Sequence, residues 1–392
     1  MRELIIDLDA IAANLTTMRG YCADVKVCGV VKANAYGHGM IPVAKRLEAE
    51  GIDYLGVADL EEALELRGAG IRVPVLAWLH DLEEDFIDAV RAKIDLGIST
   101  VQQLDRAAAA GKHHGVAAAV HLKVDTGLSR NGATMGDLPD LLRAAADLQA
   151  QGSIRVVGIF SHLSSTDAES DQRQIDHFDQ AIAMAEEAGI HPELKHLTAS
   201  DGSLSYPNAH YNMVRIGVAL YGLSPFTDHT SADYGLIPAM TATARVVQVK
   251  HVLAGEGVSY GYTYRTSANT KLALVPVGYA EGLPRNASGK AHVSISGNTY
   301  HLASRVAMDQ FVVDVGFNNV EPGDTVVLFG DPARGVPSAD HLAAAADTIN
   351  YEIVTRMGGR FKRRYLGHLP GQLANTEQEN RFGADGAYEG GS

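Results

Sequence analysis

The chain is poor in cysteine, with two among its 392 residues. Cys22 and Cys28 both lie near the start, and there is no second pair to complete a disulfide framework or a four-cysteine metal site. This rarity predicts two small buried residues in a reducing compartment. We find no metal-ligand spacing elsewhere, so the sequence predicts no bound metal.

Long apolar runs and an excess of basic residues are also lacking. No stretch approaches the ~18 consecutive apolar residues that a membrane helix needs, and the opening MRELIIDLDA lacks the regions of a signal peptide. Lys and Arg number 33 against 47 Asp and Glu, a net charge of −14, which disfavours nucleic acid and anionic membranes as partners. We expect a cytoplasmic protein, in which a local basic pocket for a small anion is still compatible with the charge.

What the first 225 residues do contain is an alternation of short apolar, β-branched runs with Ala/Leu/Glu-rich stretches of helical period. Little polar alternation within the runs indicates strands buried on both faces, as in a parallel sheet. Eight such runs in about 220 residues predict a TIM (β/α)8 barrel. A doubly wound sheet is the alternative, although no Gly-x-Gly-x-x-Gly turn follows the first strand. The runs are VKVCGVVKA, YLGVA, PVLAWL, IDLGIS, AAVHLKVDT, IRVVGIFSHL, LKHLTAS and MVRIGVALYG.

After Pro225 the pattern changes to strands separated by Gly, Asn and Pro, with one helical segment, ADHLAAAADT. The strands are TATARVVQV, KLALVPVGY, AHVSISG, FVVDVG and DTVVLFG. This sequence pattern predicts a mostly β C-terminal domain. We place the barrel at 1–232, the β-domain at 233–370 and a polar, Gly-rich, disordered tail at 371–392.

Polar residues at the ends of the barrel strands are the candidate site, because barrel enzymes place their chemistry there. They include Lys32, Lys123, His162, Ser200 and Arg215. A lysine in this position can be a surface residue just past its strand, and taken alone that interpretation is favoured. Lys32, however, precedes a Tyr- and Gly-rich loop suited to a ligand, and lysine amines form Schiff bases with carbonyl cofactors.

The segment VVKANAYGHG, which contains Lys32, resembles the cofactor-lysine motif of the alanine racemase family. Further segments resemble that family in the same order along the chain. They are KVDTGLSRNG, FSHLSSTD, HLTASDG, VRIGVALYG, VSYGYTY, VGYAEGLPR, SRVAMDQ and TINYE. The resemblance implies a TIM barrel followed by a β-domain, with the opening strand ELIID paired to the second domain. It also implies interconversion of L- and D-alanine by a homodimer with shared active sites, supplying D-alanine for peptidoglycan.

The resemblance implies pyridoxal 5′-phosphate as the cofactor. Lys32 would carry it as an aldimine and act as the base on one face of the substrate, with Tyr260 of the partner subunit on the other. His162 would connect this tyrosine to Arg215, which would face the pyridine nitrogen and leave it unprotonated, since arginine only donates. The phosphate would be held by Tyr36, Ser200, Gly217 and Val218.

For the substrate, the resemblance implies that Arg130 and the backbone of Met308 hold the carboxylate. An entry corridor lined by Tyr279, Arg285, Arg305 and Asp309 would restrict the pocket to small side chains. Lys123 would repel nearby Arg130 as an ammonium, and the family's solution, carbamylation, is expected here.

Three residues depart from the family pattern. Glu281 stands where aspartate is usual and Ser304 where glycine commonly precedes the arginine. Counting from TINYE, Gly359 falls where many members have a tyrosine that touches the phosphate. Alternative functions are a serine or broader-specificity racemase, a related pyridoxal-phosphate decarboxylase, and a barrel protein that binds the cofactor without catalysis. The decarboxylases use a cysteine of the second domain, which this chain lacks.

Overall fold

The computed structural model describes residues 1–22 and 24–367, so the predicted tail at 371–392 lies outside the described residues. The chain opens with strand β1 (Arg2–Asp7) and helix α1 (Leu8–Tyr21). The next strands are β2 (Lys26–Val30), β3 (Tyr54–Val57), β4 (Val75–Ala77), β5 (Ile94–Ile98), β6 (Ala118–Asp125), β7 (Ala133–Thr134), β8 (Ile154–Phe160), β9 (Leu194–His196) and β10 (Met213–Ile216). The helices among them are α2 (Lys32–Tyr36), α3 (Met40–Ala49), α4 (Leu60–Gly68), α5 (Ile87–Arg91), α6 (Val101–His114), α7 (Leu138–Ala150), α8 (Ala168–Glu187) and α9 (Ser200–Ser205).

Eight parallel strands form the barrel, in the order β10-β2-β3-β4-β5-β6-β8-β9. The last strand pairs with the first, and the remaining seam between β9 and β10 is bridged by the Arg215 N–H donating to the Thr198 carbonyl at 3.0 Å. This closure confirms the predicted barrel and excludes the doubly wound alternative, in which the first and last strands lie apart. Each of the eight predicted runs supplies one barrel strand.

The strands and helices of the barrel follow from local chemistry. Every residue of β3 and β5 is buried, as expected for strands covered on one face by helices and on the other by the barrel interior. Side-chain caps start the helices: Asp59 accepts from the Glu62 N–H at α4, and Thr100 accepts from the Gln103 N–H at α6. Gly115 ends α6 in the left-handed region, with φ of 65°.

The second part of the chain is mostly strand, as predicted. Its strands are β11 (Met240–Arg245), β12 (Gln248–Val252), β13 (Gly257–Val258), β14 (Tyr264–Arg265), β15 (Thr270–Val275), β16 (His292–Ile295), β17 (Asn298–His301), β18 (Phe311–Gly316), β19 (Thr325–Phe329) and β20 (Lys362–Leu366). Its helices are α10 (Ala339–Ala346) and α11 (Asn350–Arg356). Within residues 1–22 and 24–367, none of the helices has the length and apolar character to cross a membrane.

The sheets of this region join both ends of the chain. A six-stranded sheet has the order β17-β16-β19-β11-β1-β20, so the opening strand lies between two strands of the second domain. The predicted run TATARVVQV is not one strand: β11 belongs to this sheet and β12 to a three-stranded sheet, β12-β15-β18. The break falls where the Val246 N–H bonds the Asp324 carbonyl and the Val247 N–H bonds the Leu274 carbonyl. The boundary at 232/233 stays a prediction, and a short 3-10 turn at Ser231–Tyr234 spans it.

Candidate active site

A cavity of about 1000 Å³ opens at the carboxyl ends of the barrel strands. Strand and loop residues that are distant in sequence meet in it because parallel strands end on the same side of the barrel. The predicted site residues that line it are Lys32, Tyr36, Lys123, Arg130, His162, Ser200, Arg215, Gly217 and Val218.

Lys32 follows β2 and leads into a turn of unusual backbone. Residues 33–36, none of them glycine, have φ between 52° and 55°, which forms one left-handed turn. Such backbone costs roughly 1–2 kcal/mol per residue with a Cβ, so neighbouring groups must hold it. The Ala33 N–H donates to Glu62 Oε1 at 2.6 Å, and Asn34 Oδ1 accepts from the Met40 N–H at 2.8 Å. These bonds fix the backbone next to Lys32.

We expect Ala33→Gly to stabilise the protein. Ala33 is exposed, so little packing is lost. Glycine removes the left-handed strain of ~1–2 kcal/mol, and this gain is larger than the ~0.5–1 kcal/mol that the greater entropy of glycine in the unfolded chain costs. The free energy of unfolding should rise by about 0.5–1 kcal/mol, measured by urea denaturation. Ala109→Gly, at an exposed position inside the right-handed helix α6, is the control and should lose about 1 kcal/mol. A loss at position 33 as large as the loss at position 109 would contradict the prediction.

Two lysine amines in the cavity have lowered pKa values. Burial lowers the pKa of Lys32, and the charge of Arg130 lowers it further. Burial and then the charge of Arg215 lower the pKa of Lys123 to about 7. The Lys123 Nζ lies 4.8 Å from the centre of the Phe160 ring. Both amines therefore populate the neutral, nucleophilic form at lower pH than an ordinary lysine.

Arg215 lies buried at the floor of the cavity. Its Nη2 donates to the carbonyls of Ser161 at 2.7 Å and Leu197 at 2.9 Å, and lies 3.2 Å from His162 Nδ1. Its Nη1 donates to the His196 carbonyl at 3.0 Å. None of these bonds uses Nε. Burial, and next the charge of Arg215, hold the pKa of His162 well below its usual value, so this imidazole is neutral.

A corner of the same cavity, which we call the anion corner, is formed by Tyr36, Ser200 and Gly217 and offers hydroxyl groups that can donate to an anion. Ser200 Oγ accepts from the Gly217 N–H at 3.0 Å, and a Cβ at Gly217 would lie 2.5 Å from the hydroxyl oxygen of Tyr36. Glycine is thus required for the phenol to approach the backbone here. Tyr36 also stacks on Tyr221, with ring centroids 4.8 Å apart.

Sequence reasoning missed one phenol of this corner. Tyr351, in the TINYE segment, lines the cavity, and its ring lies 6.2 Å from that of Tyr36. Gly359 instead lies outside the lining, where a Cβ would meet the Ala280 carbonyl at 2.4 Å. That a phosphate contact is lost at Gly359 stays a prediction from the resemblance. The recognised motif itself was the signal that could have identified Tyr351.

Arg130 reaches the cavity from the loop after β6. Asp125 Oδ1 fastens this loop by accepting from the N–H groups of Gly127 and Ser129, each at 3.0 Å. The positive charge of Arg130 also helps to lower the pKa of Lys32, Lys123 and His162.

The remaining predicted residues lie in a second pocket of about 410 Å³ on the β-domain, and the structure does not bring them to Lys32 within one chain. Tyr260 is 72% exposed. The predicted residues in this pocket are Tyr260, Tyr279, Arg285, Arg305, Met308 and Asp309.

Two of the departures from the family pattern have clear structural roles at this pocket. Buried Glu281 accepts from the Gly278 N–H at 2.9 Å and pairs with Arg360, which also bonds Asp309 at 2.7 Å. Ser304 Oγ accepts from the Val312 N–H at 3.0 Å. Both therefore hold the loops that present the pocket.

These residues fit an aldehyde cofactor that carries a phosphate. The cavity offers an amine of lowered pKa, an anion corner that a Cβ at Gly217 would fill, and a buried guanidinium with Nε uncommitted. The fold and this cavity define the class of protein. It is a (β/α)8 barrel with a C-terminal β-domain, and Lys32 lies in the cavity at the carboxyl ends of the barrel strands.

Comparison with known proteins defines the family within that class. Residues 6–225 match the family model described as alanine racemase, N-terminal domain, and residues 239–365 match alanine racemase, C-terminal domain. Alanine racemases from Frankia casuarinae and Salinispora arenicola are each 48% identical, covering 92% and 94% of this chain and 95% and 99% of theirs. The chain belongs to the alanine racemase family.

Solved structures agree with this assignment. Alanine racemase from D-cycloserine-producing Streptomyces lavendulae superposes with a TM-score of 0.92 at 45% identity, covering 94% of this chain and 97% of that one. Alanine racemase from Streptomyces coelicolor gives 0.92 at 42% identity, with 94% and 98% covered. Members of this family depend on pyridoxal phosphate.

Proposed function

We propose that the protein interconverts L-alanine and D-alanine with pyridoxal phosphate held at Lys32. The observation that carries the proposal is one cavity in which the Lys32 amine, the anion corner and the buried Arg215 lie together. Family membership supports the reaction and its substrate.

Different residues of the cavity would hold different parts of the cofactor. Lys32 would hold it covalently, and Arg215 Nε would donate to its pyridine nitrogen. Its phosphate would be held by Tyr36, Ser200 and the backbone N–H groups at Gly217 and Val218. When bound, the cofactor withdraws electrons from the α-carbon of the amino acid and so makes its α-proton acidic.

Racemisation requires proton transfer on both faces of the α-carbon, and a base on each face does this directly. Lys32 Nζ is the base on one face. The phenol of Tyr260 from the partner subunit is the base on the other, aided by His162 and the positive charge of Arg215, because nearby positive charge favours phenolate.

A homodimer is part of this proposal. Tyr260 is exposed and lies in a pocket apart from Lys32 of its own chain. A two-fold dimer that places this pocket over the partner's barrel mouth would give two complete sites.

The substrate would be held by charge and selected by size. The guanidinium of Arg130 and the backbone N–H of Met308 would bind its carboxylate. Tyr279, Arg285, Arg305 and Asp309 would line the entry and admit only small side chains. The cytoplasmic location stays a prediction from the sequence, and the supply of D-alanine to peptidoglycan stays a prediction from the resemblance.

Lys123 is expected to carry a carbamate, formed when its neutral amine adds CO2 and releases a proton. The anion would pair with Arg130 where an ammonium would repel it. With a pKa of about 7, the amine is charged below pH 7 and neutral above it, so the modification should grow between pH 6 and pH 8. We expect a carbamate ¹³C signal after incubation in labelled bicarbonate.

Two lysine variants test whether the carbamate signal comes from Lys123. Lys123→Ala should remove it, whereas Lys26→Ala, at the exposed start of β2, should retain it. A signal that survives Lys123→Ala, or its absence at every pH, would contradict the modification.

One experiment tests the proposed reaction against its alternatives. The protein is incubated with single L-amino acids in deuterated water, and product chirality and α-deuteration are measured. D-alanine deuterated at the α-carbon is expected. Faster turnover of L-serine would indicate the broader racemase, release of CO2 the decarboxylase, and bound cofactor without turnover the non-catalytic binder.

A further inference from the structure

A chain of hydrogen bonds runs through the barrel interior, and it shares Arg215 with the site described above. Arg215 Nη1 donates to His196 Nδ1 at 3.1 Å, and His196 Nε2 lies 2.9 Å from His121 Nδ1. His121 Nε2 lies 3.2 Å from Asp95 Oδ2, which also accepts from the Tyr54 hydroxyl at 2.9 Å. The four groups from Arg215 to Asp95 therefore form one continuous relay.

The barrel has room for this relay because position 158 has no side chain. His121 and His196 are fully buried, and Asp95 and Arg215 are at most 8% exposed. A Cβ at Gly158, on the neighbouring strand β8, would lie 2.3 Å from His121 Nδ1, the atom that faces His196. Only glycine at position 158 leaves the His121 ring in this place.

The protonation of each ring follows from the arginine. A guanidinium only donates, so His196 Nδ1 accepts and the proton of this neutral ring is on Nε2. Burial and the charge of Arg215 hold the pKa of His196 well below its usual value, in agreement with a neutral ring. His121 Nδ1 must then accept from His196, and His121 Nε2–H donates to Asp95. The direction of every bond is set.

The opposite arrangement is excluded by donor clashes. If His121 carried a proton on Nδ1, as a charged ring or as the other tautomer, His196 Nε2 would have to accept. The His196 proton would then be on Nδ1, directly opposite the Nη1 donor of Arg215. A hydrogen-bond acceptor at the place of Asp95 Oδ2 keeps His121 in the required state.

We propose that Asp95 and His121 are positioning residues for Arg215: by setting the tautomer of His196, they orient the guanidinium so that Nε faces the cavity. This inference rests on the proposed function, in which Nε donates to the pyridine nitrogen. Neither residue touches substrate or cofactor. They act by excluding other orientations of the Arg215 guanidinium, which has to be in place before the reaction starts.

The first test reads the protonation of both rings in the protein with its relay unchanged. Holoenzyme labelled with ¹⁵N-histidine is expected to show His121 and His196 as neutral rings protonated on Nε2. Their signals are assigned by loss in His121→Gln and His196→Gln. A proton on Nδ1 of either ring would overturn the proposal, even if no Asp95 variant folds.

The second test follows the effect across the relay. In Asp95→Leu no acceptor faces His121 Nε2, so the ¹⁵N signals of His196 and of ¹⁵N-labelled cofactor pyridine nitrogen should both shift. Tyr54→Phe is the matched control, because it removes the other donor to Asp95 Oδ2 but leaves the relay intact, and both signals should stay in place. A shift confined to His121 in Asp95→Leu would overturn the proposal.

Kinetics give an independent readout. We expect kcat of Asp95→Leu to fall ~10–100-fold, as for other lost supporting contacts, with KM for alanine within about twofold because no substrate contact changes. A rise in KM alone would contradict a positioning role. If the cofactor does not bind at Lys32, the proposed function fails, whereas the histidine tautomers measured in cofactor-depleted protein still decide the relay.

Discussion

Lys32→Ala is expected to abolish both racemisation and the visible absorbance of lysine-bound cofactor. The variant lacks the covalent anchor and one of the two bases, and a single positioned base contributes ~10²–10⁴-fold. We therefore expect activity to fall by at least ~10⁴-fold, measured as D-alanine formed by the purified protein. Added methylamine should restore part of the activity by supplying a free amine in the vacated space.

The control lies at the far end of the strand that Lys32 follows. Lys26 begins β2 at the opposite end of the barrel and is exposed, so Lys26→Ala should retain absorbance and turnover. If Lys32→Ala still inverts alanine at a rate near that of the unmodified protein, the assignment of the anchor and of the reaction is wrong.

Tyr260→Phe is expected to lower turnover ~10²–10⁴-fold, the contribution of one acid–base group. The side chain is 72% exposed, so the melting temperature should not change. Cofactor absorbance should also persist, because Lys32 is intact. Tyr262→Phe is the matched control in the same short turn, Tyr260–Tyr262, and should remain active.

Mixing two inactive variants tests whether the site is shared. In a heterodimer of Lys32→Ala and Tyr260→Phe, one site has both native residues and the other has neither. Random exchange of subunits in a two-fold dimer should therefore recover about a quarter of the original activity. A mixture that exchanges subunits, as mass spectrometry can establish, and yet stays inactive would show that Tyr260 does not act across the interface.

The barrel was predictable because its signal is local. A strand buried on both faces reads as an apolar run, and eight runs separated by helical stretches leave few other folds. The rule that chemistry lies at strand ends is enough to identify Lys32, Lys123, His162 and Arg215 from the sequence. Their roles came from the resemblance, since a lysine at a strand end is by itself ambiguous.

Other features could not be predicted because they depend on contacts between distant residues. The left-handed turn at 33–36 contains no glycine, so no residue type announces it, and it is held by Glu62 from another helix. The run TATARVVQV continues its apolar pattern across a change of sheet, because its partners at Asp324 and Leu274 lie far along the chain. Asp95, in the middle of an apolar strand, gives no sign that it faces His121.

The sequence by itself determined the alternation of strands and helices, the β-rich second half and the residue types available for chemistry, because each is encoded in neighbouring positions. Only the tertiary structure decided which donors face which acceptors. It directed Arg215 towards the cavity, brought Tyr351 beside Tyr36 and placed Tyr260 away from Lys32 of its own chain. Those outcomes depend on barrel closure and on packing between segments hundreds of residues apart, for which local spacing contains no information.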